Sequence, residues 1–203
     1  MVSLALFKKD VSAFTTIVQV SENHPEAPNN TTGSTVYLVN RPTNGAKGEV
    51  HGFEVNLQQA LSFLPAPFDA LGYSISYTYA PSETPNIDEL TGQKLPLPNS
   101  SEKSYNLVGY YDGARLSARI AYNHRSEHLL IQQGRSSGGS LFAKARGQID
   151  VSATYKLNEN FKINLEGVNL GKDVKTSYVG TQNRIFNSWQ DDRRIYLGVS
   201  ATF

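Results

Sequence analysis

The sequence predicts an all-β fold, namely a segment of an antiparallel up-and-down transmembrane β-barrel with about eight strands. Apolar and polar residues alternate in many windows of eight to eleven residues, as they do in strands with one apolar face. No window has a comparable helical periodicity. Short connections alternate with long polar ones, which is the pattern of outer-membrane barrels, where turns lie at one end and loops at the other.

Each predicted strand carries apolar residues at every second position. In the last one the apolar residues are Ile195, Leu197, Val199, Ala201 and Phe203, and the intervening residues are polar or small. A strand that alternates to its final residue is expected where closure of a barrel removes the sheet edge. In chain order the predicted strands lie within "MVSLALFKKDVSAF", "GFEVNLQQALSF", "LGYSISYTY", "SYNLVGYYD", "LSARIAYN", "GQIDVSATYKL", "FKINLEGVN" and "RRIYLGVSATF".

The connections fall into two classes of length. The short ones are "LPAPFDA" (64–70), "DGAR" (112–115) and "NEN" (158–160), and we expect them on the periplasmic side. The long ones are 81–103, 126–146 and 171–192, and we expect them to be extracellular loops. Residues 42–48 are either a break or bulge in one long descending strand or, at Asn44-Gly45, a hairpin turn.

Aromatic residues gather near the predicted strand ends, which suggests girdles at the two membrane interfaces. One group comprises Tyr77, Tyr79, Tyr105 and Tyr122, and the other comprises Phe63, Phe68, Tyr110, Tyr155, Phe161 and Phe203.

Composition excludes several classes of protein. The 203 residues carry a net charge of +1, with 19 basic and 18 acidic residues, so no nucleic-acid partner is expected. The chain has no cysteine, so neither disulfides nor thiolate metal sites can form. No apolar run approaches the ~20 residues of a membrane helix. The first residues do not read as a secretory signal, so we expect the chain to be the C-terminal part of a longer protein.

No group of residues predicts catalysis, a cofactor or a bound metal. The candidates for metal or acid–base chemistry are His24, His51, His124 and His128, but no carboxylate pattern supports them. The serine-rich segment "GRSSGGSL" (134–141) lacks the strand and helix of a phosphate loop, so a mobile loop is expected. Asp191-Asp192 and Arg193-Arg194 are expected to form local ion pairs at a strand start.

Charged residues on the polar side of the strands are expected to face the barrel lumen, because an Arg or Lys facing lipid would cost ~2–4 kcal/mol at the membrane midplane. Contact with a plug or with water is their expected role. They are Glu54, Arg119, Asp150, Lys162, Glu166 and Arg194.

The order and spacing of several segments resemble the C-terminal portion of a TonB-dependent receptor. They are "LALFKKDVSAF", the stretch from "NRPTNGAKGEVHGFEV" to "YSISYTY", "LPLPNSSEKSYNLVGYYDGARLSARIAYNHRSEHL", "GQIDVSATYKLNENFKINLEGVNLGKD" and "DDRRIYLGVSATF". The turn "FLPAP" and the segment "NL…DVKTSY" look most similar to the carbohydrate-uptake branch.

The resemblance implies that residues 1–203 are part of a barrel of about 22 strands in the Gram-negative outer membrane. It also implies a plug domain and a TonB box, both absent here, and through them the TonB energy-coupling complex. The C-terminal aromatic residues Tyr196 and Phe203 would be recognised by the outer-membrane assembly machinery. The remaining expected partners are membrane lipid and a small-molecule nutrient.

The resemblance implies import of a scarce bulky nutrient and no enzymatic activity. A glycan is favoured over a ferric siderophore, because the loops are rich in Gln, Asn, Ser and Tyr and no concentrated basic patch is evident. Lys144, Arg146, Arg135 and Arg125 do lie around one loop. Candidate substrate contacts on the last loop are Tyr178, Arg184, Phe186 and Trp189.

Two alternatives belong to other classes of protein. A self-contained eight-stranded outer-membrane barrel would act as an anchor or adhesin, with side chains filling its interior. A soluble β-sandwich binding module would bury the apolar residues in a shared core.

Overall fold

The structure is a computed structural model that describes residues 1–12, 15–29, 31–45, 47–134 and 138–202. Its described part consists of strands and connections, with one short 3-10 helix at Phe68–Ala70. The strands are β1 Val2–Val11, β2 Thr15–Asn23, β3 Val36–Asn44, β4 Gly48–Ala60, β5 Leu71–Tyr79, β6 Ser82–Glu83, β7 Lys103–Asp112, β8 Leu116–Arg125, β9 His128–Gly134, β10 Gly139–Ala143, β11 Arg146–Lys156, β12 Phe161–Val168, β13 Val174–Val179, β14 Ile185–Gln190 and β15 Arg194–Ala201.

Eight long strands form one antiparallel sheet, called here the main sheet. Their order is β1-β4-β5-β7-β8-β11-β12-β15, and the short β6 also pairs with β4. The prediction of about eight antiparallel strands is confirmed. Within the described residues β1 and β15 each pair on one side only, so the main sheet has two open edges.

The short turns of the main sheet lie where the sequence predicts them. Between β11 and β12, Asn158 Oδ1 accepts hydrogen bonds from the backbone N–H groups of Asn160 and Phe161, both at 2.9 Å. This Asx turn reverses the chain within three residues. Between β7 and β8, the N–H of Gly113 donates to the carbonyl of Leu116. The 3-10 helix lies in the connection between β4 and β5.

The strand register gives the main sheet one apolar face. Residues directly opposite each other in antiparallel strands project to the same side of the sheet. Leu165 lies opposite Ala153 on one side and Leu197 on the other. Across the sheet, Ile75 lies opposite Leu57. The apolar residues of neighbouring strands therefore share a face, as the alternation predicts.

The six charged residues predicted to face the lumen all lie on the opposite, polar face. For example, Arg119 and Glu166 lie on either side of Ser152 in the register. Tyr110 also lies on this face, opposite Gly72 and Arg119, which corrects its assignment to a girdle on the apolar side. Its ring occupies the space over Gly72, where a Cβ atom would come within 2.2 Å of the ring.

The remaining predicted girdle residues cluster at two ends of the main sheet. At one end, the ring of Phe53 lies 5.9 Å from that of Tyr77 and 5.6 Å from that of Tyr79, and Tyr105 lies 5.9 Å from Tyr122. At the other end are Phe63, Phe68, Tyr155 and Phe161, whereas Phe203 lies outside the described residues.

Two of the three predicted long loops, 126–146 and 171–192, contribute strands to a second sheet, which the sequence pattern does not predict. Strands β9, β10, β13 and β14 form a second sheet in the order β14-β13-β10-β9, called here the distal sheet. This order repeats the order β15-β12-β11-β8 of the strands to which they are joined. The serine-rich segment leads into β10, and residues 135–137 lie outside the described residues.

Short interruptions separate the strands of the main sheet from those of the distal sheet. They lie between β8 and β9, β10 and β11, β12 and β13, and β14 and β15. The pair β2–β3 extends the pair β1–β4 in the same manner, because Val11 lies opposite Gly48 and Thr15 lies opposite Asn44. Strands β3 and β4 have different partners, so residues 42–48 include a break in one descending strand and not a hairpin turn.

Most of the buried apolar side chains lie in the distal sheet or in the segment 81–103. They are Leu95, Leu97, Leu129, Tyr178 and Val179, and Ala121 is the one described in the main sheet. Leu95 and Leu97 belong to the remaining predicted long loop, 81–103, which crosses the edge of β9. There the N–H of Asn99 donates to the carbonyl of Leu129 at 2.7 Å.

The buried carboxylate of Asp88 joins this crossing segment to the distal sheet. Its Oδ2 accepts a hydrogen bond from the backbone N–H of Ser140 at 2.6 Å. Its Oδ1 accepts from the N–H of Leu90 and from the N–H and hydroxyl of Thr91. Burial alone would raise the pKa of Asp88, but these hydrogen bonds lower it below its ordinary value.

Among the described residues, no helix has the length and apolar character needed to cross a membrane.

Candidate functional site

A basic pocket lies where the main sheet meets the distal sheet. Its volume is about 170 Å³. Four of its side chains are cationic and one is a tryptophan, and none of the described residues that line it carries a carboxylate. The lining residues are Arg125, His128, Leu130, Ala143, Lys144, Arg146, Lys175, Thr176, Ser177 and Trp189.

Two arginines of the pocket lie directly opposite each other across neighbouring strands. Arg125 ends β8, Arg146 begins β11, and the two are register partners. Like charges in such positions repel and destabilise a sheet. Arg125 donates to the hydroxyl of Ser101 and the carbonyl of Asn99, which are neutral acceptors. Arg125 therefore keeps its positive charge available to an anion.

The neighbouring charges neutralise this positive potential only in part. Arg146 lies 3.7 Å from the carboxylate of Asp173, and Lys175 forms an ion pair with Asp191. In the part of the chain that the structure describes, Arg125 and Lys144 have no carboxylate within ion-pair distance. The pocket thus combines unneutralised cations with hydrogen-bond donors, which suits an anionic ligand.

An aromatic wall completes the pocket. Trp189 of β14 lies opposite Lys175 of β13 and is 50% exposed. Its ring can stack on a flat ligand group beside the cations.

His128 contributes no charge to the pocket near neutral pH. Its Nδ1 lies 3.3 Å from the carbonyl of Ser126, to which it donates, and the residue is buried. Burial, followed by the charge of Arg125, lowers the pKa of His128 below its ordinary value. Arginine and lysine side chains therefore set the charge of the pocket across the neutral range.

Of the four residues predicted to contact a substrate, the structure places only Trp189 in this pocket. Tyr178 is 3% exposed and stacks on Phe142, with ring centroids 5.5 Å apart. Burial, and then a hydrogen bond to Glu127, raise the pKa of Tyr178. Tyr178 thus belongs to the core of the distal sheet, whereas Arg184 and Phe186 are exposed beside the β13–β14 turn.

The charged residues of the polar face lie in several different places. Arg119, Asp150 and Glu166 line a second cavity of about 230 Å³. Asp150 accepts hydrogen bonds from the side chain of Gln148 and from the N–H of Asn169. Arg194 lines a third cavity together with Asp191 and Asp192, whereas Glu54 and Lys162 lie elsewhere on the polar face.

Tyr196 lies opposite Glu166 on the polar face, and Phe203 lies outside the described residues.

The histidines do not come together. Among the described residues, no three His, Cys, Asp or Glu side chains are arranged to hold a metal ion. His24 contacts two glutamates near the end of β2, His51 lies 3.7 Å from Glu49, and His124 stacks on Tyr105 at 4.5 Å.

The expectation that no concentrated basic patch exists is wrong. Arg125, Lys144 and Arg146 lie around one loop of the sequence, but Lys175 lies about thirty residues further along the chain. The register of the distal sheet brings Lys175 to the pocket, and no sequence pattern reports that register. Arg135 lies outside the described residues.

Solved structures of several receptors share this fold. The ferric-catecholate import receptor Fiu of E. coli K12 matches 100% of this chain with a TM-score of 0.60 and 18% identity. The siderophore receptor PirA of Acinetobacter baumannii matches 100% with 0.57 and 19%, and the ferripyoverdine receptor of Pseudomonas aeruginosa matches 98% with 0.58 and 13%. The present chain spans 25%, 29% and 24% of these three chains, respectively.

No curated protein matches the sequence. The family described as "TonB dependent receptor-like, beta-barrel" matches residues 1–170, which is most of the chain. Antiparallel strands, a continuous apolar face and the shared fold agree with that match. The chain therefore belongs to the family of TonB-dependent receptor-like β-barrels.

Proposed function

We propose that this chain forms part of an outer-membrane transporter that imports an anionic ferric chelate of the siderophore class. Receptors of its family act in transport and not in catalysis. Among proteins of the same fold, one is described as a ferric-catecholate import receptor and another as a receptor bound to ferripyoverdine.

The basic pocket is the observation that carries the choice of ligand. Asp173 offsets the charge of Arg146 only in part and Arg125 has no described carboxylate partner, so an anionic ligand beside the two arginines would relieve the repulsion that remains between them. Trp189 offers a flat face next to these charges. A neutral sugar would leave the charges uncompensated, and we therefore favour the anionic chelate over the glycan.

The wider transport system is also part of the proposal. Because the chain spans about a quarter of the structures it matches, a plug domain and the other strands would come from the rest of a longer polypeptide. The plug would connect the receptor to the TonB complex, and the outer-membrane assembly machinery would insert the barrel through its C-terminal aromatic residues.

The open edges of the main sheet disfavour the two alternatives. A self-contained barrel needs β1 paired with β15, and the described residues of these strands are not paired. A soluble sandwich needs a second sheet packed on the apolar face, yet Leu197 and Val199 are among its exposed side chains.

The test uses the full-length receptor in cells that depend on it for iron. We expect Arg125→Gln combined with Arg146→Gln to weaken binding of a ferric tricatecholate at least about tenfold, since each lost charge-assisted hydrogen bond is worth about 1.5–3 kcal/mol. Uptake of radiolabelled iron is the measurement. Arg115→Gln, in the turn between β7 and β8, is the matched control and should leave uptake unchanged.

Receptor abundance in outer membranes must stay equal in all strains. Unchanged uptake of the chelate in the double variant, or lost uptake of an oligosaccharide in its place, would contradict the proposed ligand class.

A further inference from the structure

The guanidinium group of Arg125 is held by residues that are distant in the sequence. Its Nε donates to the hydroxyl of Ser101, and its Nη2 donates to the backbone carbonyl of Asn99. These acceptors lie 24 and 26 residues before Arg125, in the segment 81–103. Because both acceptors are neutral, the two hydrogen bonds fix the position of the guanidinium without cancelling its charge.

The backbone of Asn99 is itself attached to the buried core. Asn99 has a left-handed backbone with a φ of 61°, which asparagine tolerates better than most residues. Its N–H donates to the carbonyl of Leu129 at 2.7 Å, while its own carbonyl accepts from Arg125. Leu129 is fully buried, and Leu97, two residues before Asn99, is buried as well. The acceptor for Nη2 is therefore anchored to the core of the distal sheet.

The side chain of Ser101 is fixed by a second contact. Its hydroxyl donates to the carbonyl of Ser126 at 3.2 Å, in the interruption that follows β8. A hydroxyl has a single proton, so only its lone pairs remain for Arg125. Beside it, the N–H of Lys103 donates to the hydroxyl of Ser126 at 3.0 Å, and the N–H of Ser126 donates to the carbonyl of Lys103 at 2.8 Å. The acceptor for Nε thus has a defined place at the end of β8.

These two hydrogen bonds determine which donors of Arg125 remain for a ligand. An arginine has five N–H groups in one plane. The N–H of Nε and one N–H of Nη2 lie along the same side of this plane, and they are the donors used by Ser101 and Asn99. Both N–H groups of Nη1 and the second one of Nη2 remain. The outer edge formed by Nη1 and Nη2 is a fork that fits two oxygen atoms of one anionic group.

The same hydrogen bonds oppose the repulsion between the two arginines of the pocket. Arg146 is the register partner of Arg125, so their guanidinium groups would move apart if nothing restrained them. An unrestrained arginine side chain also populates many rotamers, and a ligand would have to restrict them at a cost in affinity. Holding Arg125 in place before the ligand arrives removes most of this cost.

We infer that Ser101, supported by the backbone of Asn99, is a positioning residue that presents the outer fork of Arg125 to two adjacent oxygen atoms of an anionic ligand. Neither Asn99 nor Ser101 lines the basic pocket, so both act through Arg125. The inference rests on the proposed function and adds the feature of the ligand that is recognised. That feature is a pair of oxygens on one group, such as a catecholate ring or a carboxylate.

The test measures the affinity of the full-length receptor for a ferric tricatecholate. We expect Ser101→Ala to weaken binding about two- to tenfold, which is the effect of having to order one long side chain upon binding. Ser101→Thr keeps the hydroxyl and should restore an affinity close to that of the wild type. Ser100→Ala is the matched control, because the side chain of Ser100 has no hydrogen bond among the described residues.

Chemical modification of Arg125 provides a measurement that needs no ligand. Phenylglyoxal reacts with guanidinium groups, and mass spectrometry of the ligand-free receptor identifies the modified residues. We expect Arg125 to react faster in Ser101→Ala than in the wild type, because the variant removes one of its two restraints. The exposed Arg115 should react equally in both and serves as the internal reference. Equal rates at Arg125 in the two proteins would overturn the inference.

The two measurements separate this inference from the proposed ligand class. Weaker binding in Arg125→Gln with Arg146→Gln, together with unchanged binding in Ser101→Ala, would also contradict the positioning role. If neither the double variant nor Ser101→Ala changes binding of the chelate, the ligand class is wrong, and the modification rate alone decides whether Ser101 positions Arg125.

Discussion

At the scale of single residues, the parts of the chain beyond the main sheet are held by local charged contacts. His24, near the end of β2, has a glutamate at each ring nitrogen: Nδ1 lies 3.0 Å from Glu26, and Nε2 lies 3.3 Å from Glu22. Arg41 of β3 donates to both carboxylate oxygens of Glu22. This hydrogen bonding, chiefly from Arg41, lowers the pKa of Glu22 to about 2.

The contacts of His24 predict that the β2–β3 hairpin loosens as the pH rises. Glu26 and then Glu22 raise the pKa of His24. Protonation therefore stabilises the hairpin fully below the unfolded pKa of about 6.5, and this contribution is lost as the pH rises through the higher folded value. We expect proteolysis between β2 and β3 to be faster at about pH 8.5 than at about pH 6, after normalisation to an unfolded substrate.

His24→Gln should remove most of this difference. His51→Gln, which changes a histidine of the main sheet, should leave it intact. Equal pH dependence in the His24 variant and the wild type would show that His24 is not responsible.

The hydrogen bonds of Asp88 give a second prediction for a single residue. Asp88→Asn keeps the shape of the side chain but turns an amide N–H group toward the backbone N–H of Ser140. Leaving that buried donor unpaired should cost about 2–3 kcal/mol in the stability of the distal sheet. Hydrogen exchange of β10 would measure the loss, with the exposed Asp192→Asn as control. Unaltered protection of β10 would contradict the role of Asp88.

At the scale of strands, the alternation of residues predicts the main sheet well and the distal sheet poorly. The strands of the main sheet have eight or more residues and one apolar face, so their period of two is evident. Strands β10, β13 and β14 have five or six residues, and their polar side chains obscure the pattern. Their pairing depends on contacts between distant segments, which a local pattern cannot report.

The register of the main sheet predicts opposite outcomes for arginine on its two faces. Leu197→Arg and Ile163→Arg should reduce the amount of folded receptor, because a cation facing lipid near the midplane costs ~2–4 kcal/mol. Ser200→Arg and Ser152→Arg, at neighbouring depths on the polar face, should be tolerated. The measurement is the heat-modifiable band of the full-length receptor in isolated outer membranes, and equal losses on both faces would refute the assignment.

At the scale of the whole molecule, the chain is an open sheet with much exposed surface. Its accessible area is 13323 Å², whereas a compact monomer of 22.3 kDa would expose roughly 9,400 Å². The excess comes from a sheet that is exposed on both faces and open at both edges. The basic pocket also depends on the whole molecule, because both sheets must fold before its four cationic side chains come together.

This open sheet predicts that the isolated 203 residues do not form a stable monomer in water. Unpaired edges and an apolar face favour association between copies, so we expect inclusion bodies, or mixed oligomers in detergent. Light scattering after size-exclusion chromatography would measure the mass, and limited proteolysis would report folding. A monodisperse, protease-resistant monomer in plain buffer would contradict the prediction and favour a soluble domain.

The interruptions between the two sheets have an evolutionary consequence. An extra residue inside a β-strand moves every following side chain to the other face, which in β8 would turn charged groups toward lipid. An extra residue in an interruption such as 126–127 is absorbed there, because the register begins anew at β9. In the proposed receptor, insertions and deletions could therefore accumulate in the distal sheet and its connections without disturbing the main sheet. Natural selection could then revise what the proposed receptor captures while leaving unchanged how its main sheet is held in the lipid.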